Sequence, residues 1–327
     1  MIRKAGETAA KGRLRLILGA CMVPDPRKRA TAFPKGEDAF FMVAGRAFGV
    51  ADGVGSWSAR GVDAGMFSRE LMLQAKIFFE KDATKHDPVE AMVHAEPFAK
   101  IHQGSCTFCT LTLDGNLLKS AVLGDSGFVV LRRGSHEERD PNASATAPSR
   151  PAKSCSGTSC LLHERSQGGG WKVVYKSQEQ QHAFNTPYQI GSQTNGITSR
   201  NAISVSLPVR PGDLVVCGTD GLFDNLFLND VCQLVGRYLE GARGFRSCSG
   251  RTLSDQALES QKLAEYITMA AVSASMHPGK RSPFSTQCVK AGYEAHGGKG
   301  DDITTVVGVV ACDDFHNNPQ AKAPVAT

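Results

Sequence analysis

Apolar runs of strand length follow one another closely along most of this chain, joined by short turns containing Gly or Asp. They are AFFMVA (39–44), RAFGVA (46–51), CTFCTLTL (106–113), LLKSAVL (117–123), FVVLRR (128–133), WKVVYK (171–176), AISVSLPV (202–209), DLVVCGT (213–219) and ITTVVGVVA (303–311). A connection as short as DGN at 114–116 cannot carry a parallel crossover, so antiparallel pairing is expected. Helical periodicity marks residues 64–82, with Phe67, Leu71, Gln74, Ile77 and Phe78 on one face, then 87–102, 252–276 and the shorter 228–240. Pro97 is expected to kink or split the second of these. Strand groups interrupted by helix pairs imply a layered α+β domain, not alternating βαβ units.

Between two strand runs lies a Ser/Ala/Pro/Gly-rich stretch, residues 134–170, with no period. It reads as a disordered insertion in the turn of what would otherwise be a hairpin. The expected organisation is a basic tail at 1–13, a domain at 14–313 carrying this insertion, and a C-terminal tail at 314–327.

The net charge of +5 is unevenly spread. Residues 1–35 hold nine Lys/Arg against Glu7 and Asp25, while the remainder carries 28 basic and 30 acidic residues. The basicity is therefore assigned to an N-terminal tail, which argues against a nucleic-acid partner, whose footprint would line a folded face. The tail fits either an organelle transit peptide or a solvated end. The nearest candidate for a membrane span, LRLILGACMV at 14–23, is too short. Ten cysteines without a secretory signal suggest free thiols in a reducing compartment. In CTFC, Cys106 and Cys109 should point to opposite faces of a strand, and with Cys155 and Cys160 they make a poor zinc site.

Two apolar runs end on an Asp-Gly pair: Asp52-Gly53 in FGVADGVGSW and Asp220-Gly221 in LVVCGTDGLFDN. Each alone is a common turn signal. Asp125 follows a third run, Glu37 and Asp38 precede AFFMVA, and Asp301 and Asp302 precede ITTVVGVV. In antiparallel sheets one strand's end lies beside its neighbour's start, so all five groups could meet at one edge. Carboxylates so crowded would be forced to protonate unless hard divalent cations lie between them, and all-oxygen ligands suit Mg²⁺ or Mn²⁺. Such a dinuclear centre lowers the pKa of bound water and clamps a phosphoryl oxygen during in-line attack.

GEDAFF, VADGVGSW, LGDSGF, TDGLFDN and GGKGDDIT resemble, in this order, the motifs of the protein phosphatase 2C family, the metal-dependent Ser/Thr protein phosphatases. FNTPYQIG and RSPFS are similar to the branch that includes mitochondrial and chloroplast members, and the likeness runs from about Leu14 to Ala311 without the insertion. The resemblance implies a four-layer αββα sandwich, two central antiparallel sheets flanked by pairs of helices. It implies that Asp52 bridges two Mn²⁺ or Mg²⁺ ions, that the Gly53 carbonyl binds the first, and that Asp220 and Asp301 hold the second. Glu37 and Asp38 would act through metal-bound water, and Asp125, Asp220 and Asp224 match a weaker third metal position. The implied activity is hydrolysis of phosphoserine and phosphothreonine by metal-activated water, with no covalent phosphoenzyme. The alternative is an inactive phosphatase-like module that binds phosphoproteins; the presence of Asp52, Asp220 and Asp301 favours the enzyme.

Two departures stand out. Val54 occupies the position where many members carry a histidine that protonates the leaving alkoxide. Phe33 occupies the position of a phosphate-gripping arginine, leaving Lys35, or one of Arg27 and Arg29, as substitute; Lys35 is the assignment made here. GDSG at 124–127 also matches a protease nucleophile segment, but His86, His94 and His102 lie in helical blocks, and Ser126 reads as a turn residue. The expected partners are phosphoprotein substrates, with no nucleic acid and no membrane span, for a monomer of mitochondrial location.

Overall fold

The computed structural model describes residues 13–134, 170–193, 196–241 and 253–312. The chain runs β1 (Leu14–Val23), β2 (Ala39–Val43), β3 (Ala47–Gly53), α1 (Ala64–Lys81), α2 (Pro88–Ala99), β4 (Ser105–Asp114), β5 (Leu117–Leu123), β6 (Gly127–Arg133) and β7 (Trp171–Lys176). It continues through β8 (Gln181–Ala183), β9 (Thr186–Pro187), β10 (Ile190–Gly191), β11 (Ile203–Pro208), β12 (Leu214–Gly218), α3 (Asp220–Phe223), α4 (Leu228–Gly241), α5 (Leu253–Ser275), α6 (Pro283–Lys290) and β13 (Ile303–Cys312).

Two antiparallel sheets form the centre, in the orders β1-β13-β12-β6-β7 and β11-β5-β4-β3-β2, with β10 added to β4. Alternation along each strand sends one set of side chains inward. Phe48 and Val50 of β3, Cys109 and Leu111 of β4, Phe128 of β6, Val215 and Cys217 of β12 and Val306 of β13 pack together between the sheets. The opposite set faces helices. Phe67, Leu71 and Met72 of α1 and Met92 of α2 cover Ala51 and Phe108 on one side. Val231 and Val235 of α4 and Leu263 and Ile267 of α5 cover Val216 and Val307 on the other. The result is the αββα sandwich.

Several sequence expectations are corrected. Residues 14–23 are an edge strand, paired from Leu14↔Cys312 to Val23↔Ile303. The basicity of residues 1–35 is therefore not confined to a tail: Arg27 and Lys28 form ion pairs with Asp25, Glu37 and Asp302 inside the domain. Pro97 does not split α2; it sits in the last turn, two residues before the helix ends at Ala99, so little helix lies beyond it to be redirected. On α1, Phe67, Leu71 and Phe78 are buried as expected, Gln74 and Ile77 are only half-buried, and the covered face extends to Ser68, Met72, Ala75 and Phe79. The short elements β8 to β10, α3 and α6 lack a readable period.

β6 and β7 pair as the interrupted hairpin. The Gly134 N–H donates to the Gly170 carbonyl at 2.6 Å, so the insertion leaves and returns at one point. The insertion itself, with Cys155 and Cys160, and the segments 1–12 and 313–327 lie outside the described residues. Cys106 packs on the helix side of β4 and Cys109 on the inter-sheet side, as strand parity requires. Among the described residues, no helix is long and apolar enough to cross a membrane.

Candidate metal centre

Strand register brings the acids to one edge of the sandwich. Ala39 opposes Ala51, so Glu37 and Asp38 enter β2 beside the end of β3 and Asp52. Gly218 opposes both Gly127 and Thr305, which sets Asp220, Asp125 and Asp301 around a second junction in the other sheet. Asp52 keeps the parity of Phe48 and Val50 and so starts on the inter-sheet side. Asp125 lies on the crossover from β5 to β6, between the two sheets. The outcome is that Asp52, Asp125 and Asp220 each offer a carboxylate oxygen, all within 4.8 Å of one another.

The two Asp-Gly pairs are not left-handed turns, because neither Gly53 nor Gly221 has positive φ. Their missing side chains serve close approach instead. A Cβ on Gly53 would lie 2.6 Å from the Glu37 carbonyl oxygen, and one on Gly221 would lie 2.0 Å from that of Asp302. Backbone therefore packs against backbone at both acids, and Asp220 opens the short helix α3 directly after β12.

Around this core the polar groups divide into braced and unpartnered ones. Asp38 Oδ2 accepts from Thr219 Oγ1 at 2.9 Å and Thr304 Oγ1 at 2.7 Å. Asp302 accepts from the backbone N–H of Asp25 and of Glu37, each at 2.7 Å, and from Lys28 Nζ at 2.8 Å. Lys28 also bonds Glu37. By contrast Asp38 Oδ1, Asp125 Oδ1 and Asp220 Oδ1 are buried with no hydrogen-bond partner among the described residues. Buried polar atoms are rarely left so, and carboxylate oxygens with a free acceptor site are suited to ligating a hard divalent cation. The donor set is all oxygen and fits Mg²⁺ or Mn²⁺.

Electrostatics point the same way. Burial, then repulsion from Asp220, Asp38, Asp301 and Asp125, holds Asp52 well above the usual carboxylate range. Burial and the charge of Asp220 push Asp125 up to about 8, Asp301 to about 7 and Asp224 to about 6. Asp38 is likewise raised by burial and by Asp302. Asp302 is the exception: burial opposes its charge, but Lys28 and the two N–H donors hold it below the usual range.

Asp301 and Asp302 thus have different surroundings, one half-buried near Lys299 at 3.4 Å and the other braced by Lys28. Lys35 is exposed, one residue before the turn into Glu37. Val54 donates its N–H to the Ser105 carbonyl at 2.9 Å and carries no proton to give. Ser126 is buried against Thr107 Oγ1 at 2.7 Å, and His94 lies between Phe78 and Phe98 on the helix side, which disposes of the protease reading. Four contributors escaped sequence reasoning. Lys28 sits in a basic run with nothing to mark it, and Thr219 and Thr304 are ordinary strand-end threonines. Lys299 did carry a signal, a lone cation inside GGKGDD. A cleft of about 380 Å³ opens beside the acids, lined in part by Asp125, Asp220, Asp224, Phe184 and Phe284.

Comparison with known proteins agrees with this architecture. No family model matches the chain. Among curated proteins, "Probable protein phosphatase 2C 55" of Arabidopsis thaliana is 34% identical over 304 residues, covering 91% of this chain and 52% of that protein. "Protein phosphatase PTC7 homolog fig" of Drosophila virilis is 31% identical, covering 83% of this chain and 77% of that protein. The chain spans little more than half the length of the first plant relatives it matches. Among solved structures, the photosystem II phosphatase PBCP superposes with a TM-score of 0.65 at 26% identity, covering 90% of this chain and 98% of that one. The catalytic domain of the serine/threonine phosphatase PstP, solved with two manganese ions, shares the fold at a TM-score of 0.51 and 14% identity, over 91% of this chain and 99% of that one. The sandwich, the converging carboxylates and these relatives together show that the chain belongs to the protein phosphatase 2C family.

Proposed function

We propose that this chain is a metal-dependent protein phosphatase, hydrolysing phosphoserine and phosphothreonine esters with two Mn²⁺ or Mg²⁺ ions. The observation that carries it is the meeting of Asp52, Asp125 and Asp220 within 4.8 Å, with buried carboxylate oxygens that nothing among the described residues satisfies. The names of the relatives, and the two manganese ions of PstP, support the same reading. Asp52 would bridge the ions, the Gly53 carbonyl would serve the first, and Asp220 and Asp301 would hold the second. Bound there, divalent ions acidify water to a nucleophile near neutral pH and draw charge from a phosphoryl oxygen.

The chain's own residues supply the rest. Thr219 and Thr304 fix Asp38 through one oxygen and leave the other free to accept. Lys28 and Asp302 fix Glu37 by side chain and backbone. Lys35, exposed at the entrance to this turn, is the group we assign to the substrate phosphate. Val54 offers no proton, so the leaving alkoxide must be protonated by metal-bound water or by another group.

Phosphopeptide and p-nitrophenyl phosphate hydrolysis should require Mn²⁺ or Mg²⁺ and stop with chelator; a folded, manganese-loaded chain with no turnover would contradict the assignment. The substrates are phosphoproteins and the active species is a monomer, which light scattering tests. The mitochondrial location rests on the basic, acid-poor first residues and the branch resemblance. Imaging a fusion of the first ~35 residues, a generous targeting length, tests it.

A further inference from the structure

Lys299 takes no part in the proposal above, yet it stands among the acids. Its ammonium contacts Asp220 Oδ2, lies 2.8 Å from Asp224 Oδ2 and 3.4 Å from Asp301 Oδ2. Asp220 and Asp224 are two of the three carboxylates that the family resemblance assigns to a third metal. The third, Asp125, is 8% exposed and keeps an unpartnered Oδ1.

The lysine is held on every side. Its N–H donates to Asn225 Oδ1 at 2.9 Å, and its carbonyl accepts from Asn225 Nδ2 at 2.8 Å. The same Nδ2 donates to the Gly221 carbonyl at 2.9 Å, so one buried amide locks the lysine's backbone to the helix that begins at Asp220. The Phe284 ring lies 5.2 Å from Nζ, a cation–π contact on the side turned towards the cleft.

Two cations cannot share this place. An ion held by both Asp220 and Asp224 would sit about 2.0–2.1 Å from an oxygen of each if it were Mg²⁺, and the ammonium already bonds the Oδ2 atoms of both. The inner position is not blocked in this way, because Asp220 Oδ1 remains unpartnered beside Asp52 and Asp125. The two oxygens of Asp220 thus serve different cations.

We propose that Lys299 is a built-in cation occupying the third metal position, so that this chain binds two divalent ions where the family pattern allows three. The inference rests on the two-metal reading of the inner acids. The test is a Mn²⁺ titration of the chelator-stripped full chain, read as free Mn²⁺ by electron paramagnetic resonance. The parent chain should take up two ions, Lys299→Met one more and weaker, and Lys299→Arg two. Lys299→Gln serves in place of the methionine variant if that does not fold by circular dichroism. Three ions in the parent, or two in both neutral variants, would overturn the role of Lys299 and leave the phosphatase proposal standing. A parent chain that binds none would overturn both.

Discussion

Asp38 Oδ2 accepts a 2.7 Å hydrogen bond from the Thr304 hydroxyl, joining the entry of β2 in one sheet to the start of β13 in the other. The two residues are 266 positions apart in the chain. This contact and its partner from Thr219 set the spacing of the two strand edges on which the acids stand.

Thr304→Val should therefore weaken manganese binding and lower kcat without unfolding the protein. Loss of a partner that orients a metal-site carboxylate costs roughly 10–100-fold. Mn²⁺ affinity and kcat measured together check this; an unchanged affinity would mean that Asp38 needs no positioning.

Asp302→Ala should act chiefly on stability. It leaves the Asp25 and Glu37 N–H groups without an acceptor and Lys28 without one of its two carboxylates. Breaking a buried ion pair costs about 3–5 kcal/mol. Urea unfolding of Lys28→Met, Asp302→Ala and the double variant should show strong non-additivity.

The metal-free protein should lose stability as pH rises from about 5 to about 8. The folded chain holds protons on Asp224, Asp301 and Asp125, with values of about 6, 7 and 8, that an unfolded carboxylate has already released. The folded state binds more protons across that window, so unfolding becomes easier as pH climbs. Manganese should raise Tm most at the alkaline end, where it meets bare carboxylates. Melts in chelator and in Mn²⁺ across this range check both slopes; a Tm in chelator that rises towards pH 8 would count against the crowding of these acids.

Phe48→Ala should cost about 3–5 kcal/mol, as for other large-to-small changes in a core. Phe48 is fully buried between the sheets, four residues before Asp52 on the same strand. Denaturant unfolding reads the loss directly.

Much of this was legible because local chemistry and fold agree. Strand runs with turn residues between them mark the sheets within a residue or two, and acids at strand ends mark the edge where they meet. β1 was hidden because LRLILGACMV lies among basic residues that look like a tail, and only its pairing with β13 reveals a strand. α6 is eight residues long, too short for a period to show. Lys28, and its pairing with Asp302, were hidden for another reason: a brace between positions 274 residues apart leaves no trace in either local sequence. Pro97 misled because a proline's cost falls on the turn before it, and only two residues of helix follow it to be redirected.

The most direct test is anomalous diffraction at the manganese edge from crystals of the full chain grown with Mn²⁺, beside an Asp52→Asn variant. Two peaks are expected in the parent protein, bridged by the Asp52 carboxylate and flanked by Asp220 and Asp301, with the bridge lost in the variant. A folded, manganese-saturated parent with no peak among these residues would contradict the assignment.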